Sequence, residues 1–161
     1  MRATVGAIVV ATLAGALQAH AAGLPAPPAL THSPWNGEWV LSATRNPVQI
    51  KEAAAEGYRF TLGPGDRIRW EIPSLHEVVE GRTDGRPMTI RRPGTDGLAL
   101  AVTAHGPWAL SYVVSKAGAP VGEGRMTLVD QGRAWVDLTG PYRRPDLTSV
   151  VIYVRPDAAA R

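Results

Sequence analysis

The sequence predicts an all-β protein: an antiparallel meander of about eight to ten strands closed into a small β-barrel, with one short helix between the first two strands. Three observations carry that expectation. From Trp35 onward, short runs rich in Val, Ile, Leu, Tyr and Trp alternate with polar residues, which is the period of a half-buried strand. Turn residues part these runs every eight to twelve positions, too closely for the crossovers that a parallel sheet requires. One segment alone, residues 46–57, breaks the alternation and carries helical punctuation.

The first element is not part of the barrel. Arg2 supplies a positive end, Val5 to Leu17 an apolar run, and Ala19-His20-Ala21 a small-x-small site, so residues 1–21 are expected to be a signal peptide and the protein periplasmic or secreted. The apolar run is shorter than the roughly 20 residues that span a bilayer, and no basic flank follows it. No stable membrane span is therefore expected. Residues 22–33, AGLPAPPALTHS, combine Pro with small side chains and read as an extended linker. The barrel domain is placed at 34–156 and a disordered tail at 157–161.

Strands are expected at 38–44, 58–63, 66–72, 76–81, 86–92, 97–103, 107–115, 122–129, 132–138 and 148–155. Their connectors carry turn chemistry: GPGD at 63–66, TDG at 83–85 and again at 95–97, HGP at 105–107, AGAP at 117–120 and DQG at 130–132. Connections this short pair sequential neighbours as hairpins. Faces are legible too. Ile68, Trp70 and Ile72 oppose Arg67, Arg69 and Glu71, and Leu98, Leu100 and Val102 oppose Ala99, Ala101 and Thr103. A barrel removes the exposed edges that so many strands would otherwise leave, with a two-sheet sandwich as the alternative closure. Between the first two strands, Asn46 reads as a helix N-cap, Pro47 as the first helical residue, Gln49 as the capping-box partner and Gly57 as the stop, giving a helix over 47–56. Such a short helix needs the sheet for support, so Val48, Ile50 and Ala54 are expected to face it.

Composition narrows the function classes. The chain has no cysteine, so its stability comes from the core. Its 17 basic and 14 acidic residues leave a net charge of +3, too balanced for a nucleic-acid binder, and Arg82, Arg86, Arg91 and Arg92 read as solvated strand ends. His32, His76 and His105 are scattered, without the spacing of a zinc site, and no metal or other cofactor is expected. No serine lies in a nucleophile elbow, and Glu77 and Glu80 fall on opposite faces of one strand, so no enzyme chemistry is assembled. Asp137 shares a strand face with Trp135, which would turn it inward; an edge or rim position is the expectation, with the interior as the alternative. Phe60, Trp70, Met88, Tyr112 and Trp135 fall on different strands and are the expected ligand-binding set; the same residues also suit an ordinary packed core.

Two further stretches suggest a relationship. Gly37-Glu38-Trp39-Val40-Leu41 and the closing Val150-Val151-Ile152-Tyr153-Val154-Arg155 resemble the calycin pattern of lipocalins and fatty-acid-binding proteins. They are similar also to small exported bacterial proteins that begin on a Gly-x-Trp-x-Leu strand and end on a Tyr-x-Lys or Tyr-x-Arg strand. The Thr-Asp-Tyr motif and cysteine pair of lipocalins are absent, and one helix stands where fatty-acid-binding proteins have two. The resemblance implies a lipocalin-like barrel in which Arg155 packs across Trp39 at the closure. It implies non-covalent binding of a small apolar molecule, with rim arginines orienting any acidic headgroup. The alternative is a filled barrel whose loops contact an envelope protein partner. N-terminal sequencing of the exported protein should begin within two residues of Ala22; a membrane-bound product retaining Met1 would overturn the export expectation.

Overall fold

The computed structural model describes residues 32–159. The expected signal peptide and all but the last two residues of the linker lie outside them. The strands are β1 (Gly37–Leu41), β2 (Gly57–Gly63), β3 (Arg67–Ile72), β4 (Glu77–Arg82), β5 (Asp84–Thr89), β6 (Leu98–Ala104), β7 (Ala109–Lys116), β8 (Ala119–Val129), β9 (Ala134–Pro141) and β10 (Ser149–Val154). Helix α1 (Val48–Ala53) lies between β1 and β2, and α2 (Pro156–Ala159) follows β10.

All ten strands form one antiparallel sheet in the order β4-β3-β2-β1-β10-β9-β8-β7-β6-β5. The meander runs outward from the first and last strands, which pair through Val40↔Val154 and Leu41↔Tyr153. At the far side β4 meets the residues after β5 through one bridging pair, Val78 and Arg91, whose N–H groups each donate to the other's carbonyl at 2.9 Å. The result is a nearly closed barrel. Met88 of β5 lies over Gly81 of β4 and fills part of the seam. The β7–β8 hairpin is tighter than the AGAP reading: Ala117 and Gly118, with φ of 50° and 80°, make a two-residue turn, and pairing resumes at Lys116↔Ala119.

Helix α1 corrects the sequence reading in four places. It has six residues, not ten, and its N-cap position is Pro47. Asn46 is drawn away to clasp the barrel: its Nδ2 donates to Ser42 O at 2.9 Å and Ile152 O at 2.7 Å, and its Oδ1 accepts from Ile152 N at 2.9 Å. Gly57 is the first residue of β2, where a Cβ would come within 2.5 Å of the Trp39 carbonyl oxygen; close backbone approach, not helix termination, requires glycine there. Val48 points to solvent, while Ile50 and Ala54 pack against the core. The tail expected from 157 is also more ordered at its start. Pro156 at the first helical position and Asp157 in the first turn suit the single turn of α2.

The interior is built from rings. Trp35, Trp39, Phe60 and Trp135 are almost fully buried, and together with Tyr58, Trp70, Tyr112 and Tyr153 they form one connected set of edge-to-face, tilted and stacked pairs. At the end of the barrel where β1 starts, the Arg155 guanidinium lies 3.6 Å from the centroid of the Trp39 ring. It also donates to the carbonyls of Pro34 at 2.6 Å and Asn36 at 2.8 Å. Gly37 makes room for it, with φ of 107° and a Cβ position 3.0 Å from the guanidinium. The indole N–H of Trp39 donates to Trp35 O at 2.9 Å, so Trp35 is held under the first strand.

Outside, Glu38 pairs with Arg59, and Arg69 reaches both Glu71 and Glu80, which also takes Arg91. These exposed pairs add little stability. No helix among the described residues is long and apolar enough to cross a membrane. Because Trp39 is 1% exposed and holds both Trp35 and Arg155, Trp39→Ala should cost about 3–5 kcal/mol in chemical denaturation; an unchanged curve would contradict this packing.

Candidate functional site

The aromatic filling stops short of the α1 end. There the packing leaves a cavity of about 260 Å³, partly open to solvent, walled by Ile50, Ala53, Ala54 and Ala55 on the helix side and by Tyr58, Tyr112, Asp137, Thr139, Ser149, Val151 and Tyr153 on the strands. Four strands meet here: β2 brings Tyr58, β7 Tyr112, β9 Asp137 and β10 Tyr153. Period 2 explains the selection, since Tyr58 shares its face with Phe60, Asp137 with Trp135, and Tyr153 with Val151.

Tyr112 reaches the cavity because β8 yields to it. Gly124 is its cross-strand partner, and a Cβ at Gly124 would collide with the outer ring atoms and hydroxyl of Tyr112. The hydroxyl of Tyr112 lies 3.0 Å from Asp137 Oδ2 and 2.8 Å from Thr139 Oγ1. Tyr153 donates its hydroxyl to Ala55 O at 3.1 Å, tying β10 to the segment after α1. Asp137 Oδ1 is buried and has no hydrogen-bond partner.

Asp137 is 5% exposed, so it is an interior residue and not the rim residue expected from sequence. The strand face was legible, but the depth was not: β9 stays covered as far as 137 because α1 lies across that end. Among the described residues no Lys, Arg or His lines the cavity. Burial therefore pushes the Asp137 carboxyl up to about 7, against the smaller opposing effect of the Tyr112 hydroxyl. Burial also raises the three tyrosine hydroxyls, which remain protonated.

Of the five residues expected to bind a ligand, only Tyr112 borders this cavity. Phe60 and Trp135 are fully buried and Trp70 and Met88 nearly so; all four are in the packed core. The arginines expected at a rim are occupied elsewhere. Arg82 lies 3.7 Å from both Asp66 and Asp84, Arg91 pairs with Glu80, and Arg92 is 3.9 Å from Glu77. The charged group that faces the cavity is acidic.

Other chemistry is sparse. His105 Nε2 lies 2.7 Å from Ser111 Oγ across the β6–β7 hairpin, a contact that six residues of separation concealed. The pair is exposed, and no carboxylate is hydrogen-bonded to the other ring nitrogen. No cluster of three His, Cys, Asp or Glu residues suited to a metal ion occurs among the described residues. Comparison with protein-family models, curated proteins and solved structures finds no match in any of the three.

The raised carboxyl sets a direction for stability. In the unfolded chain Asp137 titrates near 3.9; folded, near 7. Between those values the folded protein holds a proton that the unfolded chain has lost, so stability falls as pH rises, by up to about 1.4 kcal/mol per pH unit, and levels off above 7. Glu71, Glu80 and Asp146 are lowered by arginine partners and act in the opposite sense, in the more acid range. Denaturation of wild type and Asp137→Asn from pH 5 to 8 should show the variant gaining on wild type as pH rises. A constant difference across that range would contradict the raised carboxyl.

Proposed function

We propose that this is an exported, lipocalin-like protein that binds a small, largely apolar molecule non-covalently in the cavity under α1, in the periplasm or outside the cell. The observation that carries this reading is the Asp137 carboxylate, buried among three tyrosines with Oδ1 unpaired. A buried acceptor without a partner costs on the order of 1–3 kcal/mol, and an occupant toward which the carboxyl turns would recover that loss. The volume, below the roughly 300 Å³ typical of drug-sized ligands, favours a smaller one. Helix α1 is the natural entry: it buries no residue completely, so it opens at less cost than any strand of the sheet.

A second reading, a filled barrel that contacts a protein partner, draws support from the fully packed aromatic core. It also draws on Leu138 and Val150, cross-strand partners that are 44% and 49% exposed on the outer face of β9 and β10.

The two readings part in a fluorescence titration with a small neutral naphthylamine probe. Binding at tens of micromolar is expected for wild type. Ala54→Phe, which fills the cavity from the helix side, should weaken binding at least tenfold, and Ile50→Asp should alter uptake while the strand signal in circular dichroism is unchanged. Failure of wild type to bind the probe would favour the interaction module.

A further inference from the structure

We propose that the cavity under α1 selects an organic ammonium ion, a small amine with an apolar body whose positive charge is received by Asp137; this rests on the binding reading above and assigns the chemical class of the ligand. The argument begins with unused acceptor capacity. A carboxylate offers about four lone-pair sites. Asp137 uses Oδ2 toward Tyr112 at 3.0 Å, and Oδ1 has no partner. Asp137 is 95% buried and Oδ1 is itself covered, so the carboxyl must turn toward the cavity to meet a guest.

The charge surrounding Asp137 decides the sign of the occupant. The titratable groups that face it are Tyr58 from β2, Tyr112 from β7 and Tyr153 from β10, and none is cationic. Helix α1 contributes Ile50, Ala53 and Ala54 to the lining. A ligand carboxylate would set two like charges together without a counter-ion, and a wholly apolar ligand would leave the carboxyl unpaired. An ammonium supplies both missing elements, a charge-assisted donor to the carboxylate once it turns toward the cavity and a counter-charge. The surrounding tyrosines suit the same guest, because aromatic faces attract cations.

Binding is thereby linked to a proton. Asp137 titrates near 7 in the empty site, and receiving the ammonium requires the ionised carboxylate. Affinity should therefore be level above that value and fall about tenfold for each pH unit below it.

The test compares three head groups on one aromatic body by calorimetric titration of the purified protein: 2-phenylethylammonium, 2-phenylethanol and phenylacetate. At pH 8 the ammonium should bind at least tenfold more tightly than the alcohol, and phenylacetate should bind most weakly. Between pH 8 and pH 5 the ammonium affinity should drop about a hundredfold while that of the alcohol changes little. Asp137→Asn should abolish both the preference and the pH dependence; if that variant does not fold, the wild-type pH profile decides alone. Equal or tighter binding of the alcohol or of phenylacetate, or a flat ammonium profile, overturns the assignment and leaves the binding reading standing. Binding of none of the three at millimolar concentration overturns both.

Discussion

A ten-stranded barrel encloses more space than an eight-stranded one, whose interior ordinary side chains just fill, and the rest of this structure depends on how that extra volume is occupied. Eight of the ten aromatic residues are spent on it, in a single connected cluster. Trp35 is recruited from before the first strand, and Trp135 stacks on Tyr153 with centroids 4.3 Å apart. Where the rings end, below α1, the packing ends as well, and the cavity is what remains. The candidate site is thus a consequence of the same volume requirement that built the core.

The buried polar groups show how tightly the remainder is specified. Asn46 uses both ends of its amide to bind β10 to the chain after β1, across 106 residues of sequence. Arg155 spends its donors on the carbonyls of the entering chain and lays its face on Trp39. The indole N–H groups of Trp35 and Trp135 are buried without a hydrogen-bond partner. Asp137 Oδ1 is a third such group, and it belongs to an ionisable side chain.

How much was legible in the sequence follows from the range of each interaction. Strand alternation is local, and all ten strands were placed from it. Turn chemistry is nearly local, and AGAP was misjudged only in how few residues the turn consumes. Asn46 and Gly57 were misread because their residue types have familiar helix-end roles, while their partners, Ile152 and the Trp39 carbonyl, lie elsewhere on the barrel. Trp35 lies two residues before β1 and outside any strand, so no strand face marked it as core. For the site, the pairs Tyr58/Phe60, Asp137/Trp135 and Tyr153/Val151 were readable as shared faces. Their depth along the barrel, which separates packed core from cavity wall, comes from strand register and from α1, and neither is written in any single strand.

The seam between β4 and β5 bears on how this barrel yields under load. Every other neighbouring pair of strands is joined along a ladder, whereas this one is held by the Val78–Arg91 bridge and by Met88 resting on Gly81. The closed sheet therefore has one line of weakness, parallel to its strands and remote from the Trp39–Arg155 seal. The two strands that flank it are consecutive in the chain and joined through Thr83, so the seam can gape only toward the end where Val78 and Arg91 meet, with the turn at Thr83 as its hinge.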